Sequence, residues 1–251
     1  MTGVLPVALE EATKVVQGFL YSGKEYVCAM QIHADIPEST VRDVLRQFEG
    51  EIYQKPPLRA SVKREPRKRF IYQLNVHEVQ GRTVLFTCSC QAGTYIRKLC
   101  SDVGEVFGCG AHMRELRRTR AGPFSENDGI VSLHELSAAQ SDFEAGNEAP
   151  LRKILKPMEI ALTALPHIVI RDTAVSAICH GAELALPGIV KLDSAIERNK
   201  FVALFTLKGE GVALGRALMT SREMLDQEKG IAVKTERVIM ERGTYPAAWK
   251  H

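Results

Sequence analysis

Apolar residues recur at two spacings in the first part of the chain and predict alternating helices and strands. Residues 7–19 place four apolar side chains on one helical face: Leu9, Ala12, Val16 and Phe19. From Lys24 to His33 the pattern alternates, which predicts a strand with one apolar face. That face carries Tyr26, Cys28, Met30 and Ile32. A second helical pattern follows at Val41, Val44, Leu45 and Phe48, and it ends at Gly50.

Two strand-like runs then predict a β-hairpin, because Phe70–Val79 and Thr83–Cys90 are joined by a short glycine-containing turn. Gly93 is predicted to open a helix, and the arginine-rich stretch Ala111–Arg120 is predicted to be a strand. Ser132 and Glu135 form a capping-box pattern for a short helix. Residues 137–150 are polar, and we expect a loop there.

The pattern changes near residue 164, where we place a domain boundary. Beyond it, short apolar runs are separated by glycine turns, which is typical of a small β-barrel. One helix is expected there over Asp172–Cys179, with Asp172 as its N-cap and Gly181 after its end.

Composition fits an ordinary globular protein, with 45% hydrophobic and 25% charged residues. No apolar run is long enough to span a bilayer, and no signal peptide is evident. The six cysteines include no C-x-x-C pair. We interpret them as reduced, mostly buried thiols and expect a cytoplasmic protein.

Charge is unevenly distributed, although the formal net charge is only +3. Seven cations fall in one proline-containing stretch that we expect to be an exposed loop: Lys55, Arg59, Lys63, Arg64, Arg67, Lys68 and Arg69. A second cluster comprises Arg114, Arg117, Arg118 and Arg120. Such clusters are typical of a polyanion site, and a solvated surface is the alternative.

Four segments resemble, in order, the TruB/dyskerin family of pseudouridine synthases, most closely its archaeal dyskerin-like members. They are TGVLPVALEEATKV, KEYVCAMQIHADI, QKPPLRASVKRE and GTYIRKLCSDVGEVFGCGAHMRELRRTRAGPF. Three later segments resemble a PUA domain, a small RNA-binding barrel: HGAELALPGI, KGEGVALGRALM and MERGTYPAAW. The resemblance implies an α+β fold, with a mixed, largely antiparallel sheet and flanking helices in residues 1–163. It also implies a PUA barrel in residues 164–251.

The resemblance implies an enzyme that isomerises uridine in RNA to pseudouridine without a metal or redox cofactor. Three residues match catalytic-site positions of the family: Tyr26, Arg97 and Leu116. Tyr26 would face the flipped base, and Arg97 would pair with the nucleophilic aspartate. The alternatives are a core strand tyrosine for Tyr26, a surface ion pair for Arg97 and core packing for Leu116.

RNA contacts are also implied by the resemblance. The basic loop matches a flexible element that grips RNA phosphates, and His180, Gly181, Lys208 and Gly209 match RNA-facing turns of the PUA domain. A plain turn requirement is the alternative for each glycine. The implied partners are transfer RNA, H/ACA guide RNA, ribosomal RNA and small H/ACA partner proteins, with no membrane. No histidine spacing suggests a metal site.

The family's nucleophilic aspartate lies upstream of the stretch that begins at Thr2, and we expect its position to lie before Met1, outside the given sequence. Three hypotheses follow. The chain is a pseudouridine synthase, a non-catalytic RNA-binding scaffold, or part of an enzyme whose reading frame begins upstream of Met1. We expect the third, and Asp35 and Asp102 are not convincing substitutes for the nucleophile.

Overall fold

The computed structural model describes residues 2–56, 63 and 65–246. Its contacts divide the chain into two compact units. The first unit contains the residues up to Pro6 together with Tyr21–Ile130. The second contains Val7–Leu20 together with the chain from Val131 onward.

The strands are, in chain order, β1 (Thr2–Gly3), β2 (Lys24–Ile32), β3 (Gly50–Gln54), β4 (Arg67–Gln80), β5 (Thr83–Cys90), β6 (Ala111–Ala121), β7 (Phe124–Ser125), β8 (His167–Ile170), β9 (Leu184–Ala185), β10 (Ile189–Leu192), β11 (Phe201–Phe205), β12 (Gly211–Ala217) and β13 (Ile231–Val238). The α-helices are α1 (Val16–Leu20), α2 (Glu38–Gln47), α3 (Ile96–Val106), α4 (Leu133–Glu144), α5 (Ala149–Ile154), α6 (Glu159–Leu162), α7 (Asp172–Cys179) and α8 (Ser221–Asp226). Short 3₁₀ helices cover Glu10–Val15, Glu126–Asp128 and Leu186–Gly188.

The first unit is built on a seven-stranded sheet with the order β1-β6-β2-β5-β4-β3, and β7 pairs with β6. All neighbours are antiparallel except β1 and β6. Strand β5 alternates strictly, and Val84, Phe86, Cys88 and Cys90 are fully buried on one face. Helices α2 and α3 contribute buried residues to the same core cluster.

Helix α3 approaches the sheet so closely that one position admits only glycine. A Cβ on Gly104 would lie 2.0 Å from the backbone nitrogen of Ala111, which begins β6. One turn earlier on α3, the sulfur of Cys100 lies 3.7 Å from that of Cys28 on β2. These two contacts fix the helix over the β2–β6 part of the sheet.

A six-stranded, barrel-like sheet forms the second unit, in the order β10-β8-β11-β12-β13-β9. Its strands pair antiparallel except for β8 with β11. Helix α7 adds Val175 and Ile178 to the core, which also contains Ile168, Leu204 and Val212. Glycine turns between short strands predicted this architecture, and the structure confirms it.

Most predicted elements of the first unit are confirmed: the β2 strand, the helix over residues 41–48, the β4–β5 hairpin and the arginine-rich strand β6. The predicted loop from Lys55 to Arg69 is wrong at its end. Arg67–Arg69 already belong to β4, because Gln54 of β3 pairs with Arg67. The helix expected from Gly93 begins only at Ile96, with Tyr95 as its N-cap.

Other expectations fail in the second unit. The helix predicted over residues 7–19 is a 3₁₀ turn followed by α1, and Leu9 is half exposed instead of packed. The capping box of Ser132 and Glu135 is confirmed, but its helix runs on to Glu144, and α5 follows. Only Ala139 of α4 is buried, so the sequence carries little periodic signal. Arg171, not Asp172, is the N-cap of α7.

Gly104→Ala tests the close packing of α3. Alanine normally stabilises a helix interior relative to glycine by about 1 kcal/mol. Here the added methyl group meets backbone, so we expect a loss of about 1–3 kcal/mol in the free energy of unfolding, measured by urea denaturation. Glu105→Ala, an exposed neighbour on α3, is the control and should be near neutral. A Gly104→Ala protein more stable than the parent would contradict this packing.

Candidate active site and RNA-binding surfaces

Three adjacent strands place the first residues of the chain beside Tyr26. Gly3 of β1 lies opposite Arg118 of β6, and Arg118 lies opposite Tyr26 of β2. The nitrogen of Val4 donates a hydrogen bond to the carbonyl of Arg118 at 2.8 Å, and the Nε of Arg118 donates to the carbonyl of Val4 at 2.7 Å. Gly3 is required there, because a Cβ would lie 2.1 Å from the carbonyl oxygen of Arg118.

Tyr26 is half-buried, and its phenol interacts with Arg118. Burial raises the pKa of Tyr26, and the nearby Arg118 guanidinium only partly opposes that rise. The phenol is therefore a neutral, partly exposed aromatic group at neutral pH. Arg118 was noticed in the sequence only as one of a cluster of arginines. Its link between Val4 and Tyr26 depends on strand register, which the sequence does not display.

Leu116 lies two residues before Arg118 on the same strand, opposite Cys28. It is half-buried and packs on the hydrophobic core of the first unit. Because side chains on β6 alternate, Leu116 and Arg118 project from the same face of the sheet. That face therefore presents an aromatic, a cationic and an apolar side chain close together.

Arg97 occupies the first turn of α3 and is exposed. The first turn contains no acidic residue, and within residues 2–56, 63 and 65–246 no carboxylate forms an ion pair with Arg97. The positive end of a helix dipole disfavours a cation, so the guanidinium gains from an added carboxylate. This arrangement suits the binding and orientation of an anionic group.

The two acids considered as substitutes for a nucleophile are already engaged. Asp35 accepts two hydrogen bonds from Arg82, at 2.9 and 2.8 Å. Asp102 pairs with Lys98 on the same helix, and burial raises the pKa of Asp102. No group of three or more potential metal ligands occurs in the described part of the chain.

The basic stretch is only partly described. Arg59 and Arg64 lie outside the described residues. Lys55 and Lys63 are exposed, and Lys68 pairs with Glu51 at 2.8 Å while lying over the ring of Tyr53. Lys55 and Lys63 therefore present exposed positive charges, whereas Glu51 partly neutralises the charge of Lys68.

His180 and Gly181 of the second unit come together at a pocket of about 300 Å³. His180 ends α7, and its Nδ1 bonds to the carbonyl of Ser176 at 2.7 Å. Two cations that the sequence did not single out, Lys14 and Arg242, also line this pocket. Glu241 also lines the pocket and Lys14 pairs with Glu11, so the pocket combines turn backbone with charges of both signs.

Lys208 and Gly209 are not among the residues that line this pocket. They form a tight turn between β11 and β12, where the nitrogen of Lys208 donates to the hydroxyl of Thr206. The hydroxyl of buried Tyr245 donates to Glu210 at 2.6 Å, and Lys208 lies over its ring. The predicted RNA-facing residues of the second unit thus lie in two places.

Three family models match the chain. One describes the C-terminal domain of tRNA pseudouridylate synthase B and matches residues 97–163. A second describes the PUA domain and matches residues 166–239. The third describes the C-terminal part of Pus10 and matches residues 5–106.

Two similar relatives are both named probable tRNA pseudouridine synthase B. The chain is 56% identical to a probable tRNA pseudouridine synthase B of Methanopyrus kandleri, over 99% of this chain and 74% of the relative. It is 53% identical to the Pyrococcus horikoshii protein of that name, over 99% of this chain and 75% of the relative. The described residues contain no helix long and apolar enough to cross a membrane.

Two solved complexes contain chains that are similar to this one in sequence and in fold. A Cbf5-Nop10-Gar1 complex contains a chain 53% identical to this one, with a TM-score of 0.94 over 97% of this chain and 74% of that chain. An H/ACA RNP bound to a substrate RNA containing 2'-deoxyuridine contains another, 50% identical, with a TM-score of 0.90 over 98% of this chain and 75% of that chain.

The titration of Tyr26 tests the site's electrostatics. Tyr26→Phe should remove a phenol that ionises above the ordinary value near 10, as seen by difference absorbance against the parent. Arg118→Met should raise the pKa of Tyr26 further, because a stabilising cation is lost. The pKa of Tyr26 is higher in the folded protein than in the unfolded chain. Its contribution to the free energy of unfolding is therefore fully present below about pH 10 and is lost as the pH rises through the folded pKa. A Tyr26 phenol that titrates at or below 10 would contradict the observed burial.

Proposed function

Because the chain belongs to the TruB/Cbf5 family of pseudouridine synthases, we propose that it takes part in the isomerisation of uridine to pseudouridine in RNA. The observation that supports this most directly is the placement of Tyr26, Leu116 and Arg118 on one face of the sheet, beside the strand that follows the family's aspartate position. The C1′–N1 bond of the nucleotide breaks, a C1′–C5 bond forms, the C5 proton is released and N1 takes up a proton.

Each residue has a distinct part in this proposal. The target base must leave its stack, which costs a few kcal/mol, and be held in a pocket. The half-buried ring of Tyr26 supplies a flat face for that base, and Leu116 supplies an apolar wall. Arg97 pairs with the nucleophilic carboxylate, keeping it ionised and oriented.

We propose residues 1–163 as the catalytic domain and 164–251 as the PUA domain. The models that match residues 97–163 and 166–239 support this division. The compact unit that contains the PUA residues is larger than that domain, since it also includes Val7–Leu20 and residues 131–163.

RNA contacts would come from both units: Lys55, Arg59, Lys63, Arg64, Arg67, Lys68, His180, Gly181, Lys208 and Gly209. Lysine and arginine would bind phosphates, which positions the RNA without reading its sequence. The substrates would be transfer RNA and H/ACA-guided ribosomal RNA. Small proteins like the Nop10 and Gar1 of the solved complex would be partners. We place the protein in the cytoplasm.

A non-catalytic RNA-binding scaffold is the second candidate. It would rest on the exposed cations Lys55 and Lys63 and on the pocket at His180, with no role for Arg97. A scaffold needs only the basic loop and the PUA surface. The two candidates differ in whether supplying the aspartate creates activity.

Activity is tested by comparing residues 1–251 with the same chain preceded by the aspartate-bearing segment of the Methanopyrus kandleri relative. The substrate is a transfer RNA transcript containing [5-³H]uridine, and the readout is tritium release. We expect tritium release from the extended protein, which carries both the aspartate and Arg97. Arg97→Lys should slow it about 100-fold, as removal of an oriented electrostatic group does. Tyr26→Leu should also abolish most activity.

Two controls make this comparison decisive. Tyr72→Leu removes an exposed tyrosine from β4 of the same sheet and should leave the rate unchanged. Replacing the supplied aspartate by alanine should eliminate tritium release while keeping the melting temperature. An extended protein that binds RNA but releases no tritium would favour the scaffold.

RNA binding by the basic loop is tested by salt dependence. Replacing Lys63, Arg64, Arg67 and Lys68 with glutamine should reduce the slope of log Kd against log salt by up to about 3, since each phosphate contact contributes about 0.7–0.9. The control removes four exposed charges elsewhere: Arg46, Lys153, Arg222 and Lys229. If both quadruple variants change the slope equally, net charge and not the loop governs binding.

A further inference from the structure

Lys24 begins strand β2 on the same face of the sheet as Tyr26. Because side chains alternate along a strand, these two residues share one face and lie about 7 Å apart along it. On the neighbouring strands Lys24 lies opposite Cys90 of β5 and Ala121 of β6, and both of these are buried. Lys24 is therefore a half-buried cation among small neutral side chains, next to the ring proposed to hold the base.

A second cation acts on the same place. Arg118 lies opposite Tyr26 on β6 and donates its Nε to the carbonyl of Val4, which is a neutral acceptor. Burial lowers the pKa of Lys24, and the positive charge of Arg118 lowers it further. Two positive charges thus share one partly desolvated region, and an anion placed beside both would be stabilised by both.

The neighbouring carboxylate is directed elsewhere. Glu25 follows Lys24 on β2, so its side chain leaves from the opposite face of the strand. Its Oε1 accepts a hydrogen bond from the hydroxyl of Thr119 at 2.9 Å, and its Oε2 lies 3.6 Å from Arg120. The Nζ of Lys24 donates to the carbonyl of Ser22 at 3.2 Å. A carbonyl oxygen carries no full charge, so this bond leaves the positive charge of Lys24 in place.

We propose that Lys24 binds a phosphate adjacent to the target uridine while Tyr26 holds the base. A base on the ring of Tyr26 has its own sugar and phosphates at its edge, and Lys24 is the next side chain along that face of the strand. Lysine binds phosphate as a point charge. Arg97 on α3 is the cation assigned to the nucleophilic carboxylate, whereas Lys24 and Tyr26 share a strand and would share a nucleotide. The proposal rests on the proposed function, because its ligand is the RNA of that same site.

Coupling between Lys24 and single phosphates tests the contact in residues 1–251. The probes are T-arm RNA hairpins with one uncharged 2′-O-methyl methylphosphonate linkage, placed either 5′ or 3′ to the target uridine. Lys24→Met, and the neutral linkage at one of these positions, should each raise Kd about 10-fold, as loss of a charged hydrogen bond does. Combined, they should raise Kd little more than either alone. Lys24→Met should also reduce the slope of log Kd against log salt by about 0.7–0.9.

Arg46→Met is the matched control for the loss of one positive charge. Arg46 is exposed on α2 of the same unit and pairs with Asp43 at 3.8 Å. Its effect and that of either neutral linkage should simply add. A hairpin with the neutral linkage at the far end of the stem should show no coupling to Lys24→Met. Lys24→Arg, which retains the charge, should bind nearly as tightly as the parent.

Folding is checked separately. Lys24→Met should not lower the melting temperature, because it removes a half-buried charge that Arg118 opposes. If this variant does not fold, Lys24→Gln repeats the measurement, since its amide can still donate to the carbonyl of Ser22. If residues 1–251 do not bind the hairpin, the same measurement is made on the extended protein.

The proposal is overturned if the effects of Lys24→Met and of the neutral linkage add at both positions, or if Lys24→Met leaves Kd unchanged. In the extended enzyme, Lys24→Met should raise KM more than it lowers kcat. A fall in kcat alone would indicate that Lys24 acts on the carboxylate and would also overturn the proposal. An extended parent enzyme that releases no tritium but keeps the coupling would refute the proposed function and leave the phosphate contact intact.

Discussion

The pairing of β2 with β6 sets the relative positions of Tyr26, Leu116 and Arg118. It places Tyr26 opposite Arg118 and Cys28 opposite Leu116, and a bulge between Glu25 and Tyr26 shifts the register at the strand start. A slip of one residue would turn Tyr26 and Leu116 to the opposite face of the sheet. The buried residues Cys28, Met30 and Ile32 prevent that slip, because exposing them would cost apolar burial.

Helix α3 depends on the same pairing and adds the charged group. Its approach to β6 at Gly104 and its contact with Cys28 fix where its first turn lies. Arg97 then sits at a helix end where a positive charge is unfavourable without an anion. The sheet therefore supplies an apolar and aromatic surface, and the first turn of α3 supplies the exposed cation Arg97.

Much of this could be predicted from the sequence. Strict alternation identified β2 and the face of Tyr26, and the ordered motifs identified Arg97 and Leu116 as candidates. The hydrogen bonds between Gln54 and Tyr95 were not predictable. They join residues 41 positions apart, and Tyr95 takes part only through its backbone groups, which its residue type does not mark. Arg118 was missed for a similar reason, since its role depends on which residue lies opposite it. The capping box predicted the start of helix α4, but the length of the helix was missed, because only Ala139 of α4 is buried and periodicity reports burial.

The central claim is that a target uridine lies against Tyr26 with Leu116 at its edge. A crystal structure of the chain with a T-arm stem-loop RNA tests it most directly. The account predicts an unstacked uridine on the ring of Tyr26, with phosphates near Lys63 and Arg67. An RNA bound only by the second unit, with its uridine still stacked in the stem-loop, would contradict it.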